Sequence, residues 1–237
     1  MTETPPRATI AARRRDAALL TAAVVLAAAF FLIPLWLSPA RPDDFPRAFV
    51  TYWSTGGPGF PPSLQQLVDD QFRYHLARVS TALPLLAVLA ALAARLRRYR
   101  LPLAVLAFAA AVLLIADVQG AVSPFGTLLP NLATGPTGTD VTAALTQVRD
   151  ELAHGPASPA LDVMLEQYVR WHVVKAALVA LLAAALIALS VPAWRRHRLL
   201  TLLTAAPAAA ALVVVAANVS TIADPGPPFL LLLQGSW

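Results

Sequence analysis

Residues 168–200 read YVRWHVVKAALVALLAAALIALSVPAWRRHRLL. An aromatic, a histidine and a lysine lead into an uninterrupted apolar run, which ends in a turn rich in arginine. Between positions 173 and 193 the only charge is Lys175, near the start. About 20 mostly apolar residues cross a bilayer as a helix, so this stretch reads as a spanning segment that turns back through a basic corner.

Working outward, the same reading applies four more times, at about 17–37, 76–94, 101–118 and 199–217. Arg78 stands near one end of the second span and Asp117 near the end of the third. Prolines 34, 84, 192 and 207 kink or end these helices, which a bilayer bundle tolerates where neighbours satisfy the freed backbone groups. The expected fold class is all-α: a polytopic bundle of five transmembrane helices, with residues 1–16 as a basic tail and outer loops at about 38–75 and 119–172. Residues 218–237 form a C-terminal tail, whose FLLLL run (229–233) is too short to span and is expected at the membrane interface.

Composition agrees. The 237-residue chain is 58% hydrophobic with a mean hydropathy of +0.64. Only 13% of it is charged, against about 25% in soluble domains. There is no cysteine, which excludes disulfides, thiolate metal sites and cysteine catalysis. The net charge of +5 does not point to nucleic acid, because the basic residues flank apolar runs. The N-terminal segment, RLRRYR (95–100) and WRRHR (194–198) hold eleven of the 18 basic residues and two acids, Glu3 and Asp16. The positive-inside rule then places the N-terminus in the cytoplasm and the C-terminus outside, in a plasma (inner) membrane. The first apolar run is longer than the usual apolar core of a signal peptide, and LSPA is a poor cleavage site, so it reads as an uncleaved anchor.

The stretch quoted above has an echo. QFRYHLAR (71–78) and YVRWHVVK (168–175) share an Arg-aromatic-His-x-x-basic pattern 97 residues apart. The alignment pairs Pro62 with Pro159, Arg73 with Arg170 and His75 with His172. Four inserted residues later, ADVQGAVSP (116–124) aligns on ANVSTIADP (217–225), pairing Asp117 with Asn218. Each outer loop also suggests two short helices. One opens at Asp44-Phe45-Pro46 and stops at Gly56-Gly57; its counterpart opens at Asp140 and stops at Gly155-Pro156. Amphipathic helices follow, with Leu64, Leu67, Val68 and Phe72 on one and Leu161, Met164, Leu165, Tyr168 and Val169 on the other, and Ser158 as N-cap of the second. The expectation is a duplicated unit in which each amphipathic helix continues into its span.

His75, His172, Asp117, Arg73, Arg170, Tyr74, Trp171, Arg78, Lys175 and Asn218 therefore gather near one membrane boundary as the candidate site. Several chemistries stay open. Tyr74, Trp171, Arg78 and Lys175 suit an interfacial belt in contact with lipid. Asp117 with an arginine would make a packing ion pair. His75, His172 and Asp117 make a two-His-one-carboxylate set of the kind that holds non-haem iron, and two histidines could instead ligate haem. Without a metal, a histidine would act as general base and Arg73 or Arg170 would stabilise an oxyanion. His154 reads as a solvated loop residue and His197 as part of the basic turn. No phosphate-cradling glycine loop, HExxH or GxSxG occurs.

At Tyr168, Trp171, His172 and Lys175 the chain resembles the anthrone-oxygenase-like small integral membrane proteins, in which an outer loop enters a span through aromatic-x-x-Trp-Asn-x-x-Arg. Histidine stands here for the family's asparagine and lysine for its arginine, and there are five expected spans rather than four. The resemblance implies a membrane oxygenase acting on an apolar aromatic substrate without an obvious cofactor. Against it stands a non-catalytic subunit or accessory protein that presents its outer cap to a membrane or extracytoplasmic partner.

Overall fold

The structure, a computed structural model, describes residues 7–37, 44–134, 138–194 and 198–235. The described residues contain helices and no strands. Five helices are long and apolar enough to cross a membrane: α1 (Arg7–Leu37), α3 (Pro62–Arg95), α4 (Arg100–Val122), α8 (Pro159–Trp194) and α9 (Arg198–Ala223). Between and after them lie α2 (Phe45–Thr55), α5 (Pro124–Leu128), α6 (Asn131–Thr134), α7 (Thr139–His154) and α10 (Gly226–Leu233).

Two long helical hairpins make the bundle. α3 turns into α4 through the short 3₁₀ turn Arg97–Tyr99, and α8 packs along α9. α1 lies against α3, and α4 against α8 joins the two hairpins. Leu89, Leu92, Leu103 and Ala110 fill the first hairpin; Val179, Ala183 and Ala211 fill the second. Asp16 and Arg95 form an ion pair of 2.7 Å, so the start of α1 and the basic turn after α3 sit at the same end of the bundle. α1 is already helical from Arg7, so Arg13, Arg14 and Arg15 lie on the same helix as the first apolar run. Residues 1–6, 38–43, 135–137, 195–197 (with His197) and 236–237 lie outside the described residues.

α3 and α8 have 34 and 36 residues, and at 1.5 Å per residue they are about 51 and 54 Å long. A bilayer needs about 20 residues of each. Their first four turns are surplus, and these stand at the other end of the bundle as part of a helical cap. The amphipathic segments thus continue into the spans without a break, as the sequence suggested.

The cap has its own core, the largest among the described residues. α2 contributes Phe45, Phe49 and Tyr52 at positions i, i+4 and i+7, and α7 contributes Val141, Ala144, Leu145 and Val148 with the same periodicity. Leu64 and Leu67 arrive from α3, Leu161, Met164 and Tyr168 from α8, and Phe125, Leu128 and Leu132 from α5 and α6. Burying each such side chain contributes about 1.5–3 kcal/mol. Phe72 does not join them; it is 42% exposed, one residue off the buried stripe. α2 stops where Gly56 takes a left-handed conformation (φ 62°) and its N–H returns to the Trp53 carbonyl at 3.1 Å. At the start of α8 the Leu161 N–H donates to the Ser158 hydroxyl at 3.3 Å, the expected N-cap.

The FLLLL run follows α9 in the C-terminal tail. It forms α10, and Phe229, Leu232 and Leu233 enter the cap core while an Arg149 guanidinium donates to the Leu233 carbonyl. The tail is part of the cap.

Candidate functional site: two histidine joints

His75 is fixed on α3 where the helix leaves the cap, and it is buried. Its Nδ1 lies 2.9 Å from Asp117 Oδ1 on α4, and its Nε2 lies 3.1 Å from the Gln71 amide nitrogen, one turn earlier. A carboxylate only accepts, so Nδ1 carries the proton and the ring can accept the Gln71 N–H at Nε2. Asp117 is 1% exposed. The same Oδ1 forms an ion pair with Arg78 Nε at 3.2 Å, without a hydrogen bond to that nitrogen and with Oδ2 buried and unpartnered, and Arg78 also donates to the Tyr74 hydroxyl at 2.7 Å. The guanidinium rests on the Phe30 ring of α1, 4.2 Å from its centroid. Gly120 makes this joint possible: a Cβ there would sit 2.3 Å from His75 Cδ2. The helices meet closely because α4 offers no side chain at that rung.

His172 repeats the first contact on the other hairpin. Its Nδ1 donates to Asn218 Oδ1 on α9 at 2.7 Å, and the Asn218 amide nitrogen donates to the Val214 carbonyl at 2.7 Å. That second bond fixes which way the amide points. It also commits the Asn218 side chain of the formal Asn-Val-Ser sequon to the protein interior. Beyond this the two joints diverge. His172 Nε2 is buried without a hydrogen-bond partner, and Lys175 has no acid beside it among the described residues. The ammonium sits 5.0 Å from the Trp171 ring centroid instead. His172, Lys175, Trp171 and Tyr168 line a cavity of about 310 Å³, roofed by Pro228, Leu231 and Leu232 of α10.

The joints are neighbours across the seam between α4 and α8. Gln119, two residues beyond Asp117, donates to the Trp171 carbonyl at 3.3 Å, and Ser123 donates to the Gln167 carbonyl at 2.8 Å. They do not merge: Asp117 serves His75 and Asn218 serves His172. Among the described residues no group of three His, Cys, Asp or Glu side chains comes close enough to hold a metal ion, so His75, His172 and Asp117 are not assembled as a ligand set. Arg73 and Arg170 are not brought to the histidines either. Arg73 pairs with Asp70 at 3.4 Å and Arg170 with Glu166 at 2.6 Å, each on its own helix and largely in the open. His154 ends α7 and is exposed.

Gln71, Gly120, Phe30 and the α10 leucines complete these joints and were not anticipated. Gln71 had a signal, since it lies one helical turn before His75. Phe30 and α10 reach the site only through tertiary packing. No protein-family profile, no curated protein and no solved structure matches the chain.

Proposed function

We propose that the chain is a non-catalytic integral membrane protein, a subunit or accessory factor that holds a rigid helical cap against the membrane surface for a partner. The observation that carries this reading is the closure of the first joint. Both His75 ring nitrogens are engaged, and Asp117 and Arg78 compensate one another. Such a set clamps helices together: its imidazole has no free nitrogen to offer a substrate, and the carboxylate oxygen left without a hydrogen bond, Asp117 Oδ2, is buried. The cap core, drawn from α2, α3 and α5–α8 with α10, supports the same view. In this reading the basic turns face the cytoplasm and the cap lies outside the plasma membrane.

The absence of cysteine makes topology testable. A single cysteine at exposed Ser54 should react with a membrane-impermeant maleimide in intact cells, and one at Arg98 only after permeabilisation; the reverse pattern would invert the topology. For the partner, the chain extracted in mild detergent should run as a complex with a second polypeptide in fixed stoichiometry. Charge reversal at exposed cap residues should release that polypeptide. A chain that runs alone at every detergent condition would sink the subunit reading.

The alternative is a membrane oxidoreductase at the histidine layer, with an apolar substrate. The unpartnered His172 Nε2 beside a cavity favours it, as does the YVRWHVVK resemblance. Oxygen uptake on an aromatic substrate, abolished by His172→Gln, would move the assignment to the enzyme.

A further inference from the structure

We infer that the cavity at the second joint is a binding site for the anionic head of an amphiphile, with Lys175 as its counter-ion. Four observations converge on this chemistry. Lys175 is the only lysine in the chain, it is partly buried, and no carboxylate faces it among the described residues. Removing an ammonium from water without a counter-charge is costly, and among the described residues the contact set against it is the Trp171 face. The cavity beside it is lined mainly by apolar groups, with Trp171, Leu231 and Leu232 among them. The wall also contains His172, whose Nε2 lacks a partner.

One cation in an apolar pocket selects a singly charged head attached to hydrocarbon. A free phosphate or a nucleotide would need several converging donors and would gain nothing from the leucines. About 310 Å³ lies at the low end of small-molecule sites, roughly 300–1,000 Å³, so the cavity suits a headgroup and its first carbons. The remaining tail would run into lipid, because α8 continues from Lys175 as an apolar spanning helix with Leu181 and Leu189 exposed. The shared chemistry is a monoanion on an apolar chain, whether a fatty carboxylate or the phosphodiester of an anionic phospholipid. The first joint has no such capacity, because Asp117 already neutralises Arg78. This inference stands whether or not the cap has a protein partner.

Trp171 in the cavity wall gives the readout. The purified full-length chain in neutral detergent would be titrated with mid-chain-brominated stearate, with the matching brominated alcohol, and with brominated phosphatidylglycerol and phosphatidylcholine, following tryptophan quenching. The expected result is saturable quenching by an acid and much weaker quenching by its neutral counterpart. Lys175→Met should weaken the acid by about tenfold or more, the scale of one lost charge-assisted hydrogen bond, and Lys175→Arg should retain most of the binding. Leu231→Phe, at an exposed lining position, should narrow the cavity and weaken quenching without disturbing the core. Lys175-dependent quenching by stearate identifies a carboxylate ligand; the same dependence with phosphatidylglycerol identifies a lipid headgroup. Equal binding of acid and alcohol to the wild type overturns the inference, and this comparison holds even if Lys175→Met does not fold. Unchanged acid binding in a folded Lys175→Met also overturns it.

Discussion

The two histidine joints begin alike and end differently. In both, a histidine on the helix entering the bundle donates from Nδ1 to a side-chain oxygen on the returning helix, at 2.9 Å in the first and 2.7 Å in the second. In both, a cation follows three residues after the histidine. The acceptor is Asp117 in one and Asn218 in the other, and that difference of charge decides the rest. A buried carboxylate needs a counter-ion, so Arg78 turns inward and the joint closes. A buried amide needs none, so Lys175 is left beside a cavity. One position on the return helix determines whether the neighbouring cation is consumed inside the protein or remains available.

The most severe way to break this comparison is to remove Asp117. Asp117→Ala leaves the Arg78 guanidinium, packed under Phe30 and Tyr74, without its partner. Breaking a buried pair from one side costs about 3–5 kcal/mol, which should be read as a lower unfolding midpoint in detergent. Asp117→Ala combined with Arg78→Met should recover much of the loss, because apolar replacement of a whole buried pair is often neutral. Asn218→Ala, which strands no charge, should cost much less. Equal losses at the two positions would mean that the joints do not differ in the way described.

The next effect is steric. Gly120→Ala drives a methyl into the His75 ring, which has Asp117 and Gln71 on either side and cannot swing away. Overpacking of this kind costs about 1–3 kcal/mol. The residue three positions after Asn218 is Thr221, whose hydroxyl bonds only to the Ala217 carbonyl of its own helix. Thr221→Ala should fall within about 0.5 kcal/mol of the wild type. Parallel unfolding curves for the two variants would show whether close approach is confined to the first joint.

These joints show where a sequence speaks and where it is silent. Apolar length alone picked out the five helices that are long and apolar enough to cross a membrane. Pairing Asp117 with Asn218 by alignment picked out the two acceptors the histidines use. The site drawn from them was too large, for a reason already present in the chain. Arg73 and His75 are two residues apart, about 200° around a helix, so they cannot share a face; Arg170 and His172 repeat the error. Which histidine takes which acceptor depends on lateral packing of α3, α4, α8 and α9, and no spacing along the chain encodes that. The core-facing side of α10 was not legible because five apolar residues look the same whether they cover a protein core or touch lipid. Tyr168 and Phe229, with ring centroids 5.0 Å apart, decide it only once the chain is folded.

Asn218→Asp would turn the second joint into a copy of the first. Lys175 stands where Arg78 does relative to its histidine, so the new carboxylate should draw the ammonium inward. Stability should hold, while binding of brominated stearate should fall by about tenfold, the scale of one charge-assisted contact withdrawn from the ligand. Undiminished binding would separate the cavity from the acceptor's charge and defeat the comparison at its centre.

A single hydrogen bond tests whether the cap ties the two hairpins together. Tyr52 on α2 donates its hydroxyl to the Ala160 carbonyl at the start of α8, at 3.1 Å, and is completely buried. Tyr52→Phe keeps the ring in the core and removes one hydrogen bond, a loss of about 1 kcal/mol. Burial pushes the phenol up to about 12 from its ordinary value of 10. The folded state therefore holds the proton more tightly than the unfolded one. The stability from Tyr52 is fully present below pH 10 and is lost progressively between pH 10 and about 12. Denaturation curves of wild type and Tyr52→Phe should run parallel up to pH 10 and converge above it. A constant gap through pH 12 would mean that the phenol is not sealed in the cap, and that α2 does not hold α8 through this bond.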